Sequence, residues 1–522
     1  MANSPESHSG MSLDGRTATS PATTGATVSS SFRPHEAVER ADVEAVNKKE
    51  ARSLYKKREP IYPKRAKGTF RTIKWVIMAI TLGIYYLAPW IRWDRGEGLP
   101  DQAILIDFPA RRFYFFFIEI WPQEVYYITG LLILAAIGLF LVTSTAGRVW
   151  CGYTCPQTVW VDLFLAVERF FEGDRNERMR LDKAPWSFSK LRKKTLKHIT
   201  WLLIGVATGG AWVFYFADAP TLFNQLIHFE ADMTAYFWIG LFTTTTYLLG
   251  GFAREQVCTY MCPWPRIQSV MLDEDSLAVM YRYDRGEPRG PHKKGDSWEG
   301  RGDCIQCRQC VVVCPMGIDI RDGMQLECIQ CSLCIDACNA VMDKVGRPRG
   351  LIAYDSLANF KARAKGEKER FRIIRPRTIL YTALILVVGG VMLYSLLTRS
   401  ELDVNVLRDR NPVYVQLSNG DIRNGYTLKI LNKAREPRRF AVAVHGLENH
   451  QMWIEGIQSM TEDGLPVVDV GLDRLRSVKL YVAAPRTALQ SDSTDITIEV
   501  RDLDGNVRDI HETTFKGPDP RR

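Results

Sequence analysis

Eight cysteines fall into two runs of one spacing, Cys304-x2-Cys307-x2-Cys310-x3-Cys314-Pro315 and Cys328-x2-Cys331-x2-Cys334-x3-Cys338. Each cysteine of the second run follows its counterpart by 24 residues, and Ile-Gln comes after the first cysteine of both. Three thiolates on one tight loop hold three irons of a 4Fe-4S cubane, and in this spacing the fourth ligand comes from the other run. The crossing assigns Cys304, Cys307, Cys310 and Cys338 to one cluster, and Cys328, Cys331, Cys334 and Cys314 to the other. Whatever surrounds this segment, it has to fold as two interlocked loops. Structural zinc is the rival, but its ligands usually come as separated C-x2-C knuckles. Here three cysteines crowd into seven residues, twice. Cys338 is followed by Asn339 where proline is usual, so a looser turn with no lost ligand is expected there. Two adjacent clusters make an electron wire and say nothing about its donor or acceptor.

The chain of 522 residues has twelve cysteines, and the other four form matched pairs: Cys151-Gly-Tyr-Thr-Cys155-Pro156 and Cys258-Thr-Tyr-Met-Cys262-Pro263. Proline disfavours helix in the residue before it yet suits the first helical position. Cys155 and Cys262 are therefore expected at fresh helix N-termini, where backbone N–H groups stabilise thiolates. Four thiolates with Met261 beside them are soft donors of the kind that select Cu(I). Zinc, a thiol–disulfide relay, and buried inert thiols remain open as alternatives. There is no C-x-x-C-H haem site, no histidine lies centrally in an apolar stretch, and no G-x-G-x-x-G stands at a strand–helix junction.

A mean hydropathy of −0.14 looks soluble, but the apolar residues are bunched. Five stretches are long enough to cross a bilayer as helices: 73–91, 125–145, 199–217, 233–252 and 378–397. Both cysteine pairs follow the second helix of a hairpin, so the first four spans read as a duplicated hairpin. Lys and Arg number eleven from Lys48 to Lys74 and ten from Arg169 to Lys197, with none from Asp218 to Asp232. The positive-inside rule then puts the N-terminus in the cytoplasm and, after an odd number of spans, the C-terminus outside. The net charge of +9 is concentrated partly in these two stretches, and the one from Lys48 to Lys74 reads as contacting anionic headgroups rather than nucleic acid.

The chain thus divides into a cytoplasmic tail over 1–70, disordered at its start, and four spans in two hairpins over 71–252. A cytoplasmic two-cluster domain follows over 253–377, then a fifth span over 378–397 and an external domain over 404–522. In that last part, period-two alternation recurs in Val413–Leu417, Tyr426–Leu431, Phe440–Val444, Val467–Leu472, Val478–Val482 and Ile496–Val500. Short strands separated by turn residues point to a β-sandwich, read as a docking or structural module.

Several motifs occur in order: Cys151 to Trp160, Cys258 to Arg266, Tyr283 to Arg289, the two quartets, and Gly346 to Ile352. From about residue 50 onward the chain closely resembles the cytochrome c oxidase accessory protein family, membrane iron–sulfur proteins associated with assembly of cbb3-type cytochrome c oxidase. The resemblance implies a multi-domain bacterial inner-membrane protein: a transmembrane helix bundle, an inserted bacterial two-cluster ferredoxin domain and a C-terminal immunoglobulin-like β-sandwich in the periplasm. It implies a cupric reductase that converts Cu(II) to Cu(I) on the cytoplasmic side for delivery to the oxidase. Two 4Fe-4S clusters would sit on the eight cysteines named above. Cys151, Cys155, Cys258 and Cys262 would be the copper ligands or transfer residues, with copper as substrate or transient ligand. Copper chaperones or transporters and oxidase assembly factors are the implied partners, and a homodimer is left open. Two other readings stand beside this one: a quinol-linked membrane ferredoxin feeding a periplasmic reductase, and a non-redox assembly scaffold.

Overall fold

The structure, a computed structural model, describes residues 38, 40–47 and 59–518 apart from 97, 98, 294, 435, 473, 490 and 506. The start of the expected tail lies outside the described residues. The chain forms two compact units, Met1–Gly389 and Gly390–Arg522.

The first unit opens with α1 (Thr69–Leu87), a short meander of β1 (Ile104–Asp107), β2 (Arg112–Phe115) and β3 (Ile118–Ile120), and α2 (Tyr126–Ala146). Then come α3 (Val149–Tyr153), α4 (Pro156–Glu172), α5 (Arg175–Lys183), α6 (Phe188–Val213), α7 (Ala219–His228) and α8 (Met233–Thr246). Two π-helical segments, Tyr247–Ala253 and Val257–Met261, lead into α9 (Trp264–Met271). Among the described residues three helical stretches are long and apolar enough to cross a membrane: Thr69–Trp90, Pro122–Ala146 and Pro376–Leu397. Five were expected. The third expected span is only the apolar half of α6, whose first turns carry Lys190, Lys193, Lys194 and Lys197. The fourth is split, because α8 has 14 residues and then widens into the π-helical segment.

Helices α6 and α8 approach closely because α6 presents Gly205 to Thr243 and Gly209 to Ile239. A Cβ on Gly209 would stand 2.7 Å from the Ile239 carbonyl oxygen. Gly250 and Gly251, in the first π-helical segment, lie against the rings of Phe164 and Trp201, which stack with centroids 5.2 Å apart.

The cysteine-rich part is built on the paired strands β4 (Ala278–Tyr281) and β5 (Ile352–Asp355), with α10 (Tyr283–Gly286), α11 (Gln309–Val312), α12 (Leu333–Lys344) and α13 (Leu357–Ala364). Two of the sequence motifs meet here, since Arg285 and Arg347 both pair with the buried carboxylate of Asp303. The described part of the N-terminal segment is packed on this domain rather than hanging free. The Ala41 amide donates to the Cys307 carbonyl, Asn47 Nδ2 to Met316 O, and the Lys64 amide to Val312 O. The amides of Phe70 and Arg71, in the first turn of α1, donate to the Asp336 carboxylate at 3.2 and 2.8 Å. Helix α14 (Pro376–Leu397) starts at Arg375, whose guanidinium binds Asp273 and the Ser144 carbonyl. Of the α14 residues only Thr378 is buried.

The second unit is a β-sandwich. One sheet runs β10 (Gln451–Ile454), β12 (Arg474–Ala484), β8 (Ile422–Asn432) and β6 (Leu402–Arg408), with β7 (Val415–Gln416) on β8. The other runs β11 (Val467–Val470), β9 (Arg438–His445), β13 (Ser493–Asp502) and β14 (Arg508–Lys516). Both sheets contribute to one core that includes Tyr426, Leu428, Ile430, Val442, Leu480, Val482, Ile498 and Phe515. All six expected strands overlap observed ones, while β6, β10 and β14 were not anticipated.

Candidate functional site

The two cysteine loops are built alike. In the first, Gln306 and Arg308 have φ of 53° and 55°; in the second, Gln330 and Ser332 have 53° and 63°. These left-handed residues, at matching positions, fold each C-x2-C-x2-C run inward. The Gln309 amide bonds the Cys307 sulfur and the Gln330 amide the Cys328 sulfur, two residues on in both cases. The fourth cysteine of each run turns to the other loop. Cys338 lies within electrostatic reach of Cys304 and Cys307, and Cys310 of Cys338. Cys314 is likewise close to Cys331 and Cys328. Burial pushes the Cys328 thiol up to about 11 and the Cys314 thiol up to about 12. Eight buried or half-buried sulfurs with amides on them suit a group whose iron offsets the cost of deprotonation. The turn after Cys338 is not loosened: Asn339 continues α12, and its side-chain oxygen accepts from the Gly350 amide at 2.9 Å.

The membrane-edge pairs also share a local geometry. Cys155 N–H donates to Trp150 O at 2.9 Å, and Cys262 N–H donates to Val257 O at 2.8 Å. In both motifs the second cysteine thus closes a turn on the residue preceding the first. Cys155 caps α4, with Pro156 in its first position. Cys262 falls one residue short of such a place, because Pro263 is the cap of α9. The two pairs come together, since Cys151 lies within electrostatic reach of Cys155 and Cys262, and Cys258 of all three. Burial pushes the thiols of Cys151 and Cys258, the first cysteine of each pair, up to about 12. Cys151 Sγ donates to Gln268 Oε1 at 3.2 Å, while Cys262 and Met261 are exposed.

Sequence reasoning left these pairs apart from the iron–sulfur loops. In the structure Cys151 and Cys258 pack in one apolar cluster with Cys331, Ile329 and Met316, bordered by Cys314, Cys328 and Cys334. Gly152 makes the contact close: a Cβ there would stand 2.8 Å from the carbonyl oxygens of both Ile329 and Gln330. Tyr153, beside it, hydrogen-bonds Ser332 and Tyr354, and Tyr354 donates to the Gln330 carbonyl at 3.1 Å. Its counterpart in the second motif, Tyr260, is exposed. The Arg148 amide bonds Gln330 Oε1, and its guanidinium bonds the carbonyls of Leu326 and Cys328 on one side and Pro265 on the other.

The nitrogen fixation protein FixG of Rhizobium meliloti is 51% identical over 511 residues, covering 92% of this chain and 97% of that protein. The chain belongs to the FixG family. RdxB of Cereibacter sphaeroides is 52% identical over 471 residues, covering 89% of this chain and 98% of that protein. The 4Fe-4S dicluster domain family matches residues 253–357, a 4Fe-4S binding domain matches 128–172, and the immunoglobulin-like fold at the C-terminus of FixG matches 392–518. A FixG-related crystal structure from Vibrio parahaemolyticus covers 22% of this chain and 96% of its own, at 21% identity and a TM-score of 0.20. With its spanning-length apolar helices, this FixG-family chain is a membrane protein carrying 4Fe-4S clusters.

Proposed function

We propose that this chain is a membrane-bound electron-transfer protein that reduces Cu(II) to Cu(I) at Cys151, Cys155, Cys258 and Cys262 for oxidase assembly. The observation that carries the reading is the packing of Cys151 and Cys258 in one apolar cluster with Cys331 and the second cysteine set. Cys304, Cys307, Cys310 and Cys338 would hold one cluster, and Cys328, Cys331, Cys334 and Cys314 the other. When bound, the clusters supply one-electron carriers, so one electron converts one Cu(II) to Cu(I). The thiols do the rest. They lie within electrostatic reach of one another, so that a set of soft donors stands ready for a copper ion. Cu(I) prefers soft ligands, and the exposed Cys262 and Met261 offer them at the outlet toward a thiolate-rich carrier.

The topology belongs to the same proposal: five spans in a bacterial inner membrane, with the iron–sulfur domain in the cytoplasm and the β-sandwich in the periplasm. The basic stretches on either side of the first hairpin support it. Copper chaperones or transporters and oxidase assembly factors are the partners proposed, with a homodimer left open.

The test is direct. Purified full-length protein, reduced anaerobically, is expected to reoxidise on adding Cu(II), with one Cu(I) trapped per electron released. Ser at all four membrane-edge cysteines is expected to abolish Cu(I) retention while leaving the iron content intact. Unchanged Cu(I) binding in that variant overturns the site.

A further inference from the structure

Arg148 is 4% exposed and sits between the two cysteine systems. Its guanidinium reaches the carbonyl oxygens of Leu326 and Cys328 in the second cluster loop, and of Pro265 just after the second membrane-edge pair. Its Nε is buried without a partner. Among the described residues no carboxylate ion-pairs with it, although the neighbouring guanidinium of Arg375 takes Asp273. The groups able to carry negative charge that act on it are the sulfurs of Cys328 and Cys151. Carbonyl dipoles orient a cation but do not neutralise it, and an isolated charge away from water is costly unless something nearby balances it.

We propose that Arg148 is the positioning residue of the electron path: its buried positive charge is balanced by the cluster held at Cys328, Cys331, Cys334 and Cys314, and it raises that cluster's reduction potential over the other's. The inference rests on the cluster assignment made above. Four thiolates already leave such a site with net negative charge, and taking up one electron adds another. A fixed cation in low dielectric favours the reduced state, and salt screens it little because it is buried. Among the described residues, the arginines that face the cluster at Cys304, Cys307, Cys310 and Cys338 are paired with carboxylates: Arg321, facing Cys310 and Cys304, with Asp319, and Arg285, facing Cys338, with Asp303. The asymmetry directs electrons toward the set that touches the membrane-edge thiols.

The experiment is a redox titration of the full-length protein followed by electron paramagnetic resonance, with soluble mediators and no copper. Arg148→Gln removes the charge and keeps hydrogen-bonding capacity; Arg148→Lys keeps the charge and loses the forked geometry. Arg148→Gln is expected to shift one of the two reduction steps to lower potential by at least tenfold in its equilibrium constant, about 59 mV for one electron. The other step is expected to stay in place, and Arg148→Lys to stay within threefold of the unsubstituted protein. Equal behaviour of the Lys and Gln variants, or an equal shift of both steps, overturns the proposal. If Arg148→Gln fails to retain iron, Arg148→Lys decides alone: a retained potential supports the charge, and loss of iron or a lowered potential assigns Arg148 to structure. Because the readout needs no copper, failure here is distinct from failure of Cu(II) to reoxidise the reduced protein.

Discussion

At the scale of single residues, the arrangement turns on how little room there is between α3 and the second cysteine loop. Gly152 faces the backbone carbonyls of two consecutive residues, so Gly152→Val has nowhere to go except by pushing the Ile329–Gln330 backbone away. Overpacking of this kind costs about 1–3 kcal/mol. The variant is expected to lose cluster absorbance on mild heating before the unsubstituted chain does, measured as iron retained per protein. The buried thiols give a second expectation. Cys151 and Cys258, both raised to about 12, are protonated at neutral pH, so a metal that binds their sulfurs must displace protons. Apparent Cu(I) affinity should therefore rise with pH, by about tenfold per unit for each proton displaced. A competition titration against a chelator between pH 6 and 8 measures that slope, and a flat profile excludes these two sulfurs as ligands.

Elements differ in how plainly the sequence announces them. The paired cysteine runs could be read because spacing alone constrains a loop that must wrap iron, and the left-handed residues at Gln306, Arg308, Gln330 and Ser332 follow from that spacing. Strands such as β8 could be read because burial alternates along them. The meander β1–β3 escaped notice because its strands are only three or four residues long, too short for alternation to register. The π-helical turn that carries Cys258 escaped because one extra residue per turn leaves no periodic mark. The meeting of Cys151 with Cys331 was also out of reach, since it depends on packing across some 180 residues of chain rather than on local pattern. Nearness of α6 to α8 does have a local signal, in the small residues Gly205 and Gly209 one turn apart. Gly209→Leu is expected to force the helices apart and lower the midpoint of thermal unfolding in detergent, while Gly210→Leu, with open space around it, should change little.

The whole molecule consists of two compact units with separate cores. Leu480 is fully buried in the sandwich, and Leu480→Ala should cost about 2–5 kcal/mol there. Calorimetry of the full chain is expected to show one transition moving down while iron-centre absorbance melts unchanged; joint movement of both would mean the units unfold as one. Asp336 matters at this scale too. It caps the first membrane helix through the amides of Phe70 and Arg71, yet the ribosome reaches it 265 residues after Arg71. Throughout most of synthesis the start of α1 therefore lacks that cap. It is completed only when α12 forms beside Cys334 and Cys338, so insertion of the first helix precedes its anchoring. Iron supply to the nascent protein would then decide not only whether electrons can flow but when the earliest-made helix becomes fixed in place.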